Sequence, residues 1–207
     1  MLSENTIILG NNFEYVDLGL PSGTLWAIMN VGASKPSDYG LYFQWGDAQG
    51  YTKEQVGKDK QFTWNDYKFN LSGNRKTFTK YKIEAAKLDF EDDAAHCNMG
   101  GDWHMPTTTQ IQELLDNTTT TWTTLDDVNG KLFTSKIDPS KFIFIPAAGG
   151  AWNSSVPSIG DCCCVWSSQS PAGGYIGCGH YLLLYSGNAY LTFDNRCVGF
   201  SVRGVIG

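Results

Sequence analysis

Hydrophobic spacing changes period several times along this chain. Residues 13–18 and 25–31 cluster β-formers around Leu20-Pro21-Ser22-Gly23, a Pro/Gly turn signal, so the chain is expected to open on a hairpin. Residues 39–46 are dense in aromatics and read as a buried strand ending at Gly46. Residues 53–74 are polar, studded with aromatics and without clean periodicity, which predicts a long ordered loop. A helix is expected over residues 88–97, with Glu91, Asp92 and Asp93 near its positive end and Gly100-Gly101 as its stop. Thr107 or Thr108 can cap a second helix whose Ile111, Leu114 and Leu115 share one face, and the β-branched run 118–121 ends it. Residues 141–146 carry the strongest strand signal. Four short β segments follow at 165–168, 181–185, 189–193 and 199–203. Helices set between groups of strands without βαβ alternation predict an α+β fold, and the absence of a repeat or linker predicts one domain.

With 207 residues, 42% of them hydrophobic and 17% charged, the chain can bury a substantial core without a metal or a disulfide. Its formal charge of −6 gives phosphate neutralisation by a basic face little to work with, so nucleic acid is not an expected partner. There is no apolar run of membrane-spanning length, and the first twenty residues lack a signal peptide's pattern. Cys97, Cys162, Cys163, Cys164, Cys178 and Cys197 form an even set, yet three are consecutive, and adjacent cysteines are badly placed to bridge each other.

Charge is unevenly spread. All twelve lysines lie at or before Lys141, and after Ser154 only Asp161, Asp194, Arg196 and Arg203 are charged. From Pro171 to Gly207 there is no Lys, Glu, Gln, Met or Trp, residues that a pyrimidine-ending codon cannot encode. Two readings stand. Tightly packed terminal strands would exclude long charged side chains; alternatively, a surface was varied from one restricted codon type.

Several segments, in order, carry a family resemblance: Tyr15-Val16-Asp17-Leu18-Gly19-Leu20-Pro21-Ser22-Gly23-Thr24-Leu25-Trp26-Ala27, Asn30-Val31-Gly32-Ala33, Tyr42-Phe43-Gln44-Trp45-Gly46, Asp93-Ala94-Ala95-His96, Gly100-Gly101-Asp102-Trp103-His104-Met105-Pro106-Thr107, Ile145-Pro146-Ala147-Ala148-Gly149, Trp166-Ser167-Ser168 and Arg196-Cys197-Val198-Gly199-Phe200-Ser201-Val202-Arg203. From about Tyr15 to its end the chain resembles the Fibrobacter succinogenes major paralogous domain family of gut Bacteroidetes and their phages. That family is similar to the C-type lectin fold, in the formylglycine-generating-enzyme-like branch used by variable proteins of diversity-generating retroelements. The resemblance implies one C-type-lectin-like domain over 1–207, two helices packed on short antiparallel strands, with 1–12 as a loose N-terminal segment. It also implies a ligand-binding protein at a cell, virion or other extracellular surface, taking a protein or glycan partner, without membrane insertion. The alternatives are a non-diversified adhesin or structural domain and a degenerate formylglycine-generating-type oxidase.

Matching to the family pattern makes Trp166, Ser167, Ser168, Leu183, Tyr185, Ala189, Leu191, Arg196 and residues 199–203 scaffold. It makes Cys162, Cys163, Cys164, Val165, Cys178, Leu182, Leu184, Tyr190, Thr192, Asp194, Cys197 and Val198 variable, ligand-facing positions. Strand alternation sets Leu183 and Tyr185 on one face and Leu182 and Leu184 on the other, so an outward Leu182/Leu184 pair beside Tyr190 is expected. The chain departs from the pattern at Met99, Gly150-Ala151 and Gly204.

No catalytic constellation stands out. His180 and Asp161 are the nearest bases in sequence to the thiols, and no cysteine pair of the oxidase type is visible, so neither an enzyme nor a cofactor is expected. His96, Cys97 and His104 lack a fourth zinc ligand and are read as structural. Trp64-Asn65-Asp66 echoes a lectin tripeptide out of place. Asp92-Asp93 and Asp126-Asp127 are read as solvated caps ahead of a calcium site.

Overall fold

A computed structural model describes residues 7–8 and 13–207. The expectation for the N-terminal segment otherwise lies outside the described residues. The opening hairpin forms as the turn signal predicts: β2 (Glu14–Asp17) pairs antiparallel with β3 (Leu25–Ala27), Val16 opposite Trp26. β1 (Ile7–Ile8) pairs with β2 on one side, and the C-terminal β10 (Val205–Ile206) pairs with β3 on the other. The two ends of the chain therefore share one sheet.

The first expected helix is shorter than its sequence suggests. Residues Phe90–Asp92 make one 3-10 turn, and α1 (Ala94–Met99) begins only after Asp93, whose backbone is extended. The reason is the cap: the Asp93 carboxylate accepts from the His96 N–H at 2.9 Å and from the Met105 N–H, so it stays outside the helix that it starts. The second helix, α2 (Thr108–Asn117), has Thr107 as its cap in a reciprocal capping box with Gln110. The threonine run that ends α2 is itself a strand. β4 (Thr118–Leu125) pairs residue for residue with β5 (Val128–Ser135), and β6 (Phe142–Pro146) follows beside β5. Asp126 and Asp127 form the β4–β5 turn with φ of 49° and 63°, a conformation Asp tolerates because its side chain can bond locally. Asp126 accepts from Lys35 at 3.0 Å and Ser37 at 2.8 Å.

A third sheet is built from β7 (Cys163–Trp166), β8 (Cys178–Leu184) and β9 (Ala189–Asn195), in that order. The stretch expected as a strand at 199–203 does not form a regular one. It threads past by single pairings, Phe200 with Phe43, Gly199 with Ala151 and Ser201 with Val165. Gly199 is required there, since a Cβ would sit 2.3 Å from the Phe62 ring. The molecule is thus α+β, with two short α-helices among the described residues and small antiparallel sheets.

The third sheet separates two apolar clusters. Cys163, Val165, Leu182 and Leu184 join Trp26, Ile111, Leu114, Phe133 and Ile145 on one side. Cys162, Cys164, Trp166 and Tyr181 join Trp45, Phe200 and Val202 on the other. Two arginines tie the frame together without a carboxylate partner among their hydrogen bonds. Arg203, fully buried, donates to Asn30 Oδ1, Ala27 O and Phe144 O at 2.9–3.0 Å. Arg196 donates to Cys178 O and Tyr81 O and stacks 4.4 Å over Trp45. Trp45 and Trp166, in the second of these clusters, each donate an indole N–H to a distant backbone carbonyl, Ser167 O and Phe43 O.

Candidate functional site

Pairing register decides which side chains of the last strands can meet a ligand. Opposite residues in an antiparallel pair share a face. Leu183 lies opposite Tyr190 and Tyr181 opposite Thr192, so Tyr190, Thr192 and Asp194 of β9 share a side with Leu183 and Tyr181 of β8. Leu182 and Leu184 lie opposite Leu191 and Ala189 and point the other way, into the cluster under α2.

This corrects the expected contact surface. Leu182 and Leu184 are fully buried and form no outward apolar pair. Alternation was right in period but reversed in sense, because α2 covers the side that the family pattern left open. Cys162, Cys163, Cys164, Val165, Cys197 and Val198, also expected to face a ligand, are each 5% exposed or less. Apolar packing on both sides of the central sheet closes them off. Of the twelve expected positions, Cys178, Thr192 and Asp194 are half-buried and Tyr190 is 48% exposed. Tyr185, expected as scaffold, is 42% exposed at the β8–β9 turn, and Leu183 is only half-buried.

Two further exposed rings near this surface, Tyr175 and Phe193, were not singled out from the sequence, and register sets Phe193 on the Leu182 side, opposite Tyr190. Tyr175 and Phe193 are 46% and 37% exposed, their rings 4.5 Å apart, and the His180 ring lies 6.1 Å from Phe193. Both sides of β9 therefore end in exposed rings. The readable signal was the aromatic count between 175 and 193; which rings reach solvent depends on the register. The turn is held from below by Lys131, whose buried ammonium donates to Tyr185 O and Ser186 O at 3.1 and 3.2 Å. Burial pulls its pKa down.

The last quarter brings little charge to this surface, where the Glu84 carboxylate, from outside it, accepts from the Gly173 and Gly174 N–H groups. Arg196 and Arg203 are buried, which leaves Asp161 and Asp194 as the formal charges on the exterior of the last quarter. Burial raises the Asp194 carboxyl above its ordinary range. No family model, curated protein or solved structure matches this chain. What the surface can do rests on its geometry: exposed rings, hydroxyls and one partly desolvated carboxyl on a rigid sheet.

The other candidate chemistries are dispersed or occupied. His96 Nδ1 lies 3.1 Å from Trp103 O, and His104 Nδ1 and Nε2 lie 2.9 and 3.1 Å from Met105 O and Gly207 O. The Cys97 thiol donates to the carbonyls of Phe90 and Glu91. His180 Nδ1 is 3.1 Å from Thr192 O, so that nitrogen is engaged by backbone. Among the described residues, Asp89, Glu91 and Asp92 are close enough to share an ion, but the Lys80 ammonium sits among all three, at 2.7 Å from Asp89 and Glu91. Asp92 also takes Lys68 at 2.7 Å, so this residue is an ion-pair hub and not a solvated cap. A cavity of about 440 Å³ is lined by Lys87, Leu88, Asp89, Phe90, Asp93 and His104. Asp93 faces it with a carboxylate already bonded to two backbone N–H groups, and burial raises that carboxyl.

Proposed function

We propose that this chain is a ligand-recognition module of C-type-lectin-like design, whose contact surface is the solvent side of β9 and the β8–β9 turn. The observation that carries this reading is the shared register of Tyr190, Thr192 and Asp194 beside exposed Tyr185, on a sheet anchored by Trp45, Trp166 and the two buried arginines. Rings and small residues on a rigid frame offer contact area at low ordering cost, as in a paratope. Strands that bring little charge of their own suit a neutral protein or glycan face, read by stacking and hydrogen bonds instead of long-range steering.

Retroelement diversification belongs to the same reading, restricted to outward positions. Packing accounts for missing long side chains where residues are buried. It does not account for their absence at Ala172, Gly173, Gly174, Tyr175, Tyr185, Ser186, Gly187, Asn188, Tyr190 and Phe193, which are all exposed. Burial of the cysteine run favours a second reading for those positions, that of fixed scaffold in an undiversified surface domain. Sequencing the gene's downstream region separates the two: a near-identical template differing at codons for Tyr190, Thr192 and Asp194 is expected, and no template leaves the undiversified domain. Recognition itself is tested by a glycan and surface-protein array. A bound class that Tyr190→Ala abolishes supports the site, whereas binding indifferent to Tyr190 and Thr192 removes it.

A further inference from the structure

Three consecutive cysteines on an extended chain cannot all face one way, and that alternation separates their chemistry. Cys163 points into the cluster under α2 and donates its thiol to Ile145 O at 3.2 Å. Burial pushes its pKa far up, which keeps it a neutral thiol. Cys162 and Cys164 point to the opposite side, and their sulfurs lie 3.8 Å apart. All six cysteines of the chain are free thiols. This pair is set apart from the other four by having a second sulfur in direct contact.

Two same-side positions of an extended strand hold their Cβ atoms about 6.6 Å apart, farther than the roughly 3.5–4.5 Å that a disulfide spans, so side-chain rotation alone does not close the bridge. Cys162 lies just ahead of β7, outside its ladder, and closure draws its backbone toward Cys164, whose sulfur it already touches. Cys162 precedes β7 and follows a turn in which Ser158 and Gly160 have positive φ and Asp161 is exposed, so it is the thiol nearer to solvent. It is 4% exposed against 2% for Cys164.

We propose that Cys162 and Cys164 form a reversible dithiol, a modification site that a peroxide closes into a Cys162–Cys164 disulfide while Cys163 between them stays reduced. The Cys162 thiolate attacks one peroxide oxygen. An S–O bond forms, the O–O bond breaks, and the departing hydroxide takes up the proton that the thiol lost, giving water and a sulfenic acid. Cys164 then attacks the Cys162 sulfur. The S–S bond forms, the S–O bond breaks, and the hydroxyl leaves as a second water with the Cys164 proton. Two thiols are oxidised by two electrons in all, and one peroxide is reduced to two waters. The hydrogen bond between the thiols supports this order, since it lowers the pKa of Cys162, the attacking sulfur, and raises that of Cys164, the resolving one. Closure would pin the start of β7, where Cys164 lies opposite Leu183 of the recognition sheet.

The test uses the folded full chain and hydrogen peroxide, followed by denaturation, blocking of free thiols with N-ethylmaleimide, digestion and mass spectrometry. The peptide holding the three cysteines is expected to carry one blocking group, on Cys163, to be lighter by two hydrogens, and to regain all three groups after dithiothreitol. Exposed Cys97 reports peroxide reactivity in the same sample. Three blocked thiols in that peptide at a dose that oxidises Cys97, or a bridge that includes Cys163, overturns the proposal. In Cys164→Ser, a dimedone adduct on Cys162 without a bridge is expected; equal adducts on Cys162 and Cys163 would show that the pair has no special reactivity.

Discussion

Replacing Leu182 by alanine measures whether the last strands are frame or contact surface. Leu182 is fully buried in the central strand of its sheet, flanked by Val165 and Leu191 and facing the cluster that contains Ile111 and Leu114. Leucine-to-alanine changes in packed cores cost about 2.7–5 kcal/mol, more where the surroundings cannot collapse. Strands on both sides and α2 above restrict collapse here, so a loss of about 3–4 kcal/mol is expected. For a chain of this length each kcal/mol moves the melting temperature by about 2–4 °C, so the transition should fall by about 10 °C. Tyr190, 48% exposed on the opposite side of the same hairpin, is the matched control. Its alanine variant gives up only part of one cross-strand contact with Leu183 and should cost less than about 1 kcal/mol. Urea unfolding of both variants, with unchanged slope, decides the matter. A Leu182→Ala loss below about 1 kcal/mol, or a Tyr190→Ala loss equal to it, would refute the assignment of sides.

Two other perturbations address the buried polar frame and the one partly buried acid of the surface. Asn30→Ala removes the acceptor for Arg203 Nε at 3.0 Å and should cost about 2–3 kcal/mol in urea unfolding, because a buried guanidinium N–H is left unmatched; a change under about 0.5 kcal/mol would show that water replaces it. Asp194 has its carboxyl raised above 3.8 by burial, so the fold prefers the protonated form. Stability from this group is present below the unfolded value and lost as pH climbs through the raised folded one. Asp194→Asn should therefore be more stable than the native chain at neutral pH and lose that advantage in acid, and a gap independent of pH would contradict the burial of this carboxyl.

How much of this was legible in the sequence follows from the range of each interaction. The opening hairpin, the Thr107 cap and β6 were readable, because each rests on residues within a few positions of one another. The β4–β5 hairpin was missed: Asp126-Asp127 was weighed for calcium or capping, and the threonines only as the end of α2. The helix over 88–97 was overextended, since nothing local reveals that Asp93 will spend its carboxylate on His96 and Met105.

The sequence by itself determined the local grammar: an acidic chain with two helices, the second with a threonine cap, short strands of period two, and a terminal quarter nearly free of charge. Only the tertiary structure decided which side of each strand is inside. A period of two divides Leu182 from Leu183 but is symmetric between core and solvent. That symmetry is broken by α2 packing over one face and by the aromatic cluster around Trp45 and Phe200 closing most of the other, contacts made by residues far apart in the chain.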